Sequence, residues 1–195
     1  MNFIGSKVME TESLLLRPTQ EEDLKTLWEI LCIPDVNKYY LTTKMSLDWE
    51  EEKVWQYKKL ERAHYPDTFQ WSIILKENNE CIGQISVHEA SLEDGKIKDV
   101  SIRGIGWFIN PKHQRKGLAA ECASEILKYM FEEAGIHEIK TGAAIKNIAS
   151  WKLMEKLGFQ RRNHNYQMKY TFLEEPEELY SYGMTREEYK KETFK

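Results

Sequence analysis

The stretch over residues 106–120 constrains the fold of this chain more than any other. An apolar run over residues 106–109 stops at Asn110 and Pro111, and a short basic loop containing Gly117 then opens into a strong helical pattern. This order predicts a strand that feeds directly into a helix. Because a helix N-terminus presents unpaired N–H groups and a partial positive charge, such a turn is a favourable place for a phosphate. Gly117 would let the backbone come close to that phosphate, since it has no Cβ.

The same loop has a plainer interpretation, which is an ordinary turn with solvated basic residues. A lone glycine loop does not distinguish between the two. Arg115 and Lys116 would add full positive charges beside a bound phosphate, or would simply face water. The choice therefore depends on the segments that follow in the chain.

Length and charge narrow the class of protein. The 195 residues contain no internal repeat or linker, which favours one domain over residues 1–195, with residues 1–10 as a flexible lead-in. A net charge of −4 argues against a general nucleic-acid binder, which normally carries an excess of basic residues. The sequence shows no signal peptide and no apolar stretch long enough to span a membrane, so we expect a cytoplasmic protein that binds no membrane.

The cysteines and histidines do not form a recognisable ligand set. Cys32, Cys81 and Cys122 lie far apart, and their odd number fits neither a disulfide framework nor a zinc site. The five histidines show no ligand spacing either. The sequence therefore predicts no metal centre and a reducing compartment.

The rest of the pattern alternates between extended and helical segments. It predicts a strand, two helices, three antiparallel strands, a helix, a strand, a helix and two strands, followed by a polar helical tail. Residues 159–173 are interpreted as one bent strand. Such a mixture indicates an α/β sheet with helices on its faces. Tyr39 and Tyr40 lie in an aromatic loop between the first two helices, where they either line an acceptor slot or cover the sheet.

Separated segments of this pattern resemble the GNAT superfamily of acyl-CoA-dependent N-acetyltransferases. Residues 114–119, Gln-Arg-Lys-Gly-Leu-Ala, resemble the pyrophosphate loop of that superfamily. Residues 147–159, which begin with Asn147 and end with Gly-Phe, resemble its Asn-x-x-Ser-x-x-x-x-x-Lys-x-Gly-Phe segment. Residues 11–18 and 182–189 resemble the opening strand and the end of the RimJ/RimL-type branch, which acetylates ribosomal-protein N-termini.

The resemblance implies the GNAT fold. This is an α/β (α+β) fold with a central mixed, mostly antiparallel sheet of six to seven strands, helices on both faces, and splayed strands that hold acetyl-CoA. The pantetheine arm would pair with the open edge of the strand, and the loop would hold the pyrophosphate. The implied cofactor-binding residues are Trp107, Phe108, Ile109, Gln114, Arg115, Lys116, Gly117, Leu118, Ala119, Asn147 and Ser150. Asn147 is equally an ordinary helix cap.

The implied catalytic residues are less uniform. By resemblance, Ser150 could protonate the departing thiolate of coenzyme A, and a backbone N–H near Phe108 would stabilise the oxyanion. Relatives often have a glutamate at the position of Gly104. The candidates that remain for the general base are His88 and Glu89 at the end of the preceding strand, and both could equally be surface residues.

The function implied is transfer of acetyl from acetyl-CoA to a primary amine, and the whole-chain resemblance favours a protein N-terminal α-amine. A polyamine, an amino acid or an aminoglycoside is the alternative acceptor, and a non-catalytic acyl-CoA-binding module is the alternative class. Residues 112–116 could also form a nucleic-acid patch, although the acidic total counts against it. We expect no metal and no nucleic acid, and the sequence allows a homodimer.

Overall fold

The computed structural model describes residues 1–40, 43–90 and 99–193. The strands are β1 (Met9–Glu10), β2 (Leu14–Pro18), β3 (Phe69–Leu75), β4 (Glu80–Glu89), β5 (Ile102–Ile109), β6 (Glu138–Ala144), β7 (Gln160–Met168) and β8 (Glu177–Thr185). The helices are α1 (Glu21–Leu31), α2 (Pro34–Asn37), α3 (Trp49–Arg62), α4 (Leu118–Lys128), α5 (Ile148–Lys156) and α6 (Arg186–Thr193). A 3-10 turn, Pro111–His113, precedes α4, and a π-helical turn, Tyr129–Glu133, follows it.

All the strands belong to one sheet, in the order β1-β2-β3-β4-β5-β6-β8-β7. Every neighbouring pair is antiparallel except β5 and β6, which are parallel. The mixed, mostly antiparallel sheet predicted from the sequence is therefore confirmed. It has eight strands rather than six to seven, because the two residues of β1 add a short edge strand to β2.

The sheet has two differently covered faces. On the first, which we call the α4 face, Ile85, Ile105 and Ile139 pack with Ile126 of α4 in the main core. On the second, the α1 face, Leu27 and Ile30 of α1 pack with Val36 and Phe108. Side chains alternate between faces along a strand, so Gly104, Gly106 and Phe108 of β5 share the α1 face.

A buried ion pair fixes the start of α1. Asp23 is 2% exposed and accepts two hydrogen bonds from Arg17 of β2, at 2.6 and 2.9 Å. It also accepts from the Ser72 hydroxyl of β3 at 2.8 Å and from the Gln20 backbone N–H at 2.9 Å. Since all the bonds of a buried carboxylate must be satisfied, this set of partners ties α1 to β2 and β3.

The first residues of the chain make hydrogen bonds to the rest of the fold along their length. The Asn2 N–H donates to the Ala134 carbonyl at 2.6 Å. The Tyr129 hydroxyl donates to the Gly5 carbonyl at 2.6 Å, and the Trp71 indole N–H donates to the Lys7 carbonyl at 2.8 Å. Both side chains are buried, so their polar atoms require these acceptors.

Candidate active site

The central feature of the site is the parting of β5 from β6. The two strands pair only at Ile102–Glu138, Arg103–Ile139 and Gly104–Lys140. Just beyond, the Thr141 hydroxyl donates to the Ile105 carbonyl at 3.1 Å. From there to Ile109 and Ala144 the facing edges are unpaired within the described residues. We call this opening the fork. An open strand edge can hydrogen-bond an extended amide chain.

The loop before α4 places free N–H groups beside the fork. Arg115 has φ 62° and Gly117 has φ 84°, so left-handed residues alternate along it. This alternation turns successive N–H groups to one side, as in anion-binding nests. Gly117 is the N-cap of α4 and supplies no side-chain cap bond, which leaves the first-turn donors available. A Cβ at Gly117 would meet nothing within 4 Å among the described residues, so the space above it is open for a ligand.

Side chains fasten this loop to the sheet. The Gln114 side-chain amide donates to the Ile109 carbonyl at 2.9 Å. The Asn110 side chain accepts from the Lys112 N–H at 3.1 Å, and the His113 ring lies 3.1 Å from the Glu80 carboxylate. Asn78 and His113 bond that carboxylate and lower its pKa. The loop is therefore held at the ends of β4 and β5 while its outer backbone stays free.

Asn147 and Ser150 lie on the other side of the fork, at the start of α5. The Asn147 side chain caps the helix by accepting from the Ser150 N–H at 3.4 Å. The Trp151 indole donates to the Ile145 carbonyl at 3.1 Å and holds the helix onto the end of β6. Ser150 is half-buried, and its hydroxyl makes no hydrogen bond within the described part of the chain. It is therefore available to a ligand in the fork.

His88 lies on the α1 face, opposite Gly104. Its Nε2 atom is 2.6 Å from the point where a Cβ of residue 104 would stand, so the imidazole covers the glycine. Surrounding protein atoms and the positive charge of Arg103 lower the pKa of His88. Glu89 follows on β4 and pairs with Arg103. By strand alternation it points to the opposite face.

Tyr39 and Tyr40 stand over the two sides of the fork. Tyr40 packs edge-to-face on Phe108 of β5, with ring centroids 5.0 Å apart. Burial raises the pKa of Tyr40 to about 12, and its hydrogen bond with Ser86 offsets this only in part. Tyr39 packs edge-to-face on Tyr170, which belongs to the cluster next to the end of β6, at 5.9 Å. This dipeptide therefore bridges the opening on the α1 face.

Tyr166 of β7 is a site residue that sequence reasoning missed. A Cβ at Gly142 of β6 would overlap the Tyr166 hydroxyl, so a larger residue there would have to displace the Tyr166 ring. Burial raises the pKa of Tyr166. The pairing of β7 with β8 shifts between Arg161 and Asn165. Because of this shift, the alternation of side chains along the strand predicted over residues 159–173 does not show on which face of the sheet Tyr166 lies. The signal that the sequence offers is Gly142, a glycine within a strand.

The structure brings most of the predicted site residues to the fork. Trp107 packs against the core of the α4 face, and Phe108 and Ile109 are buried. Phe108 pairs with Gln84 of β4, and the Ile109 carbonyl accepts from Gln114, so the edge offers the main-chain groups of Trp107 and the N–H of Ile109. The loop and Asn147 flank the carboxyl ends of β5 and β6, whereas Glu89 points away from His88. Across the described ranges no group of histidine, cysteine or acidic side chains could hold a metal ion. In the same ranges no helix is long and apolar enough to cross a membrane.

Comparison with known proteins identifies the family. Residues 13–160 match the acetyltransferase (GNAT) domain family. The chain therefore belongs to this family, and it is an acetyl-CoA-dependent N-acetyltransferase. The fork and the free N–H groups at Gly117 fit this co-substrate, since they offer an edge for its amide arm and donors for its pyrophosphate.

Individual relatives agree with this assignment. The chain is 27% identical to YoaA, an uncharacterized N-acetyltransferase of Bacillus subtilis, over 82% of this chain and 89% of the relative. A spermidine N-acetyltransferase from Vibrio cholerae, solved with CoA and spermine, superposes with a TM-score of 0.75 at 17% identity, covering 92% of this chain and 99% of that one. A ribosomal-protein-S5-alanine acetyltransferase from Vibrio fischeri gives 0.74 at 17% identity, covering 94% and 98%. The two solved structures share the fold.

Proposed function

We propose that this enzyme transfers acetyl from acetyl-CoA to a protein N-terminal α-amine in the cytoplasm, as a member of the RimJ/RimL-type branch. The observation that carries the proposal is the fork, because it leads from the loop on the α4 face to an aromatic opening on the α1 face. The resemblance of residues 11–18 and 182–189 to that branch supports the acceptor. The likeness of the fold to a ribosomal-protein-S5-alanine acetyltransferase is consistent with it.

In this proposal the cofactor residues act mainly through the backbone. The N–H groups of residues 115–119 would hold the pyrophosphate, and the exposed Arg115 and Lys116 would add charge. Gln114 would keep the loop in place through its bond to Ile109. The edge of residues 107–109 and the side chain of Asn147 would bind the pantetheine arm. The Ser150 hydroxyl would supply a proton to the departing sulfur.

The charges around the fork favour an α-amine over a polyamine. A polyamine carries several positive charges and needs several free carboxylates. On β6 and β8 the described carboxylates are engaged: Glu138 lies 3.7 Å from Arg162, and Glu177 lies 2.9 Å from Lys146. The Glu178 side chain accepts from Asn165 at 2.8 Å. A single amine at the end of a peptide needs no such set.

A small amine is the second candidate acceptor. The aromatic faces of Tyr39 and Tyr40 favour it, because aromatic rings attract cations. The fold likeness to a spermidine N-acetyltransferase is consistent with this alternative.

The test is an acceptor panel with acetyl-CoA. Peptides with a free N-terminus, the same peptides with a blocked N-terminus and an internal lysine, spermidine and free amino acids are compared by thiol release and by mass spectrometry. We expect acetylation of the free N-terminal peptides alone. Turnover of spermidine alone would replace the proposed acceptor with a polyamine. Acetyl-CoA binding without turnover of any amine would overturn the proposed reaction.

A further inference from the structure

We infer that His88, seated over Gly104, is the side chain that accepts the proton of the attacking amine. The inference rests on the proposed function and names a catalytic residue for it. A Cβ at residue 104 would lie 2.6 Å from Nε2, 2.9 Å from Cδ2 and 3.3 Å from Cε1 of the imidazole. The imidazole therefore fills the space into which a side chain at residue 104 would project, so a side chain there would have to displace it.

Gly104 is the last residue of β5 that pairs with β6, so the imidazole lies where the fork begins. A Cβ at Gly106, the next residue on the same face, would lie 3.7 Å from Cε2 of Tyr40 and 3.9 Å from Cε1 of His88. The imidazole and the Tyr40 ring therefore lie side by side over β5, which itself places no side chain at residues 104 and 106. An acceptor amine that reaches the imidazole would pass the Tyr40 ring.

The charges near His88 lie on both faces of the sheet. Among the described residues, the neutral phenol of Tyr40 and, on the strand beyond Gly104, Lys140 share the α1 face with His88. Arg103 of β5 and its register partner Glu89 both point to the α4 face, so Arg103 acts on the imidazole through its charge and not by contact. Desolvation by neighbouring protein atoms and the charge of Arg103 both lower the pKa of His88. Lys140 is paired with Glu138 at 3.9 Å. Both influences on His88 disfavour the imidazolium, so they favour the neutral ring that a proton acceptor must be.

The step balances with the groups present. The amine nitrogen donates its lone pair to the thioester carbonyl carbon, so a C–N bond forms and the C–S bond breaks with its electron pair on sulfur. The nitrogen then carries a surplus proton, which passes to the imidazole of His88 directly or through one water. The thiolate takes a proton from the Ser150 hydroxyl. The imidazolium then releases its proton to solvent and the Ser150 oxygen takes one from solvent, so both side chains return to their starting forms. The products are the N-acetyl amine and free coenzyme A.

The first test replaces the imidazole. His88→Gln is expected to lower kcat/KM by about 10²-fold, within the range for loss of a general base, while the Kd for coenzyme A measured by calorimetry stays unchanged. His64→Gln makes the same chemical change at an exposed histidine and should keep the wild-type rate. In the wild type, kcat/KM should fall as the pH drops through a value below about 6.5, and this limb should vanish in His88→Gln.

The second test exchanges the base. Gly104→Glu alone should be inactive, because the new side chain collides with the imidazole. Combined with His88→Ala, it should recover part of the rate, with the acid limb moved down toward the range of a carboxylate. A wild-type rate and pH limb in His88→Gln would overturn the inference, and a loss confined to Glu89→Gln would assign the base to Glu89. If the wild type acetylates no amine at all, the proposed function fails and this inference with it.

Discussion

The two sides of the fork supply the proposed site with different kinds of group. On the α4 face the donors come from consecutive residues of one loop, 114–119, and most of them are backbone N–H groups. On the α1 face the groups are the side chains of His88, Tyr40 and Tyr166, which come from distant parts of the chain. Two of these side chains lie over a glycine, Gly104 or Gly142. One side therefore depends on backbone shape, whereas the other depends on which side chains fit against a bare strand.

This difference indicates how each side can vary. Backbone donors survive most substitutions, because the N–H group does not change with the side chain. Only a residue whose φ is positive, such as Gly117, is tightly restricted there. On the α1 face, a larger residue at Gly104 or Gly142 would displace the side chain of His88 or Tyr166. We therefore expect co-substrate binding to tolerate more substitutions than acceptor turnover does.

Ser150 is an exception to this difference, because it lies on the cofactor side of the fork and yet has a proposed chemical role. We expect Ser150→Ala to lower kcat by about 10²-fold through loss of the thiolate's proton donor. Single-turnover kinetics with a good acceptor would measure this effect, and calorimetry should give an unchanged Kd for coenzyme A. Ser150→Thr keeps the hydroxyl and should restore most of the rate. Equal rates for the wild type and Ser150→Ala would remove Ser150 from the chemistry.

Gly117 tests the dependence on backbone shape. Gly117→Ala is expected to weaken coenzyme A binding by about tenfold, roughly 1.4 kcal/mol, because the Cβ strains the left-handed backbone and enters the ligand's space. Gly135→Ala is the matched control, since Gly135 follows the π-helical turn beyond the other end of α4 with φ 71°. Both changes should cost about 1 kcal/mol of folding stability. Only Gly117→Ala should change the Kd in calorimetry, and an equal loss in both variants would refute a special role for the loop.

Gly142 tests the α1 face in the same way. Gly142→Ala should push Tyr166 aside at a cost of about 1 kcal/mol and raise the KM for the acceptor by roughly fivefold. Steady-state kinetics would measure this, and coenzyme A binding should not change. Tyr166→Phe in the Gly142→Ala background removes the hydroxyl that collides and should recover part of the loss. No recovery in the double variant would show that Tyr166 does not carry the effect.

Tyr40 gives the smallest expected effect, and it depends on pH. The folded state raises the pKa of Tyr40 to about 12, so the proton is lost more easily from the unfolded chain. The stability contributed by this group is complete below about pH 10 and is lost as the pH rises through the folded value. Tyr40→Phe should cost about 1 kcal/mol at neutral pH. Urea unfolding should show a smaller further loss at alkaline pH than in the wild type, and parallel curves would contradict this account.

The loop and the helix starts beside the fork could be predicted from the sequence, whereas the side-chain contacts on the α1 face could not. Gln114, Gly117 and Asn147 belong to short local patterns, and local geometry is what such patterns encode. In contrast, the sequence shows at Gly104 only that the usual glutamate is missing. It cannot show that His88 lies opposite this glycine on the neighbouring strand. That relation depends on the register of β4 with β5. Tyr166 was missed for the same reason, since the shift of register in β7 is set by pairing with β8.

The fold shows the same limit at its edges. The predicted order of the long elements is confirmed, because the hydrophobic periodicity of each long segment is strong. The four-residue helix α2 was not predicted, and the strand predicted over residues 159–173 is shorter, since β7 ends at Met168. The two-residue strand β1 and the hydrogen bonds of Asn2 and Gly5 could not be predicted, since their partners are supplied by distant residues such as Tyr129. Buried donors elsewhere in the chain determine these contacts, and no local sequence preference of the first residues predicts them.

The narrow junction between β5 and β6 also bears on how the chain folds. Strands β3, β4 and β5 follow one another and can pair as local hairpins, whereas the three β5–β6 pairs form only after α4 has carried the chain across the sheet. Contacts of this kind close slowly. We therefore expect the junction to form in a late phase of folding. A refolding chain should regain the native fluorescence of the β3–β4–β5 hairpins before it regains any capacity to bind coenzyme A.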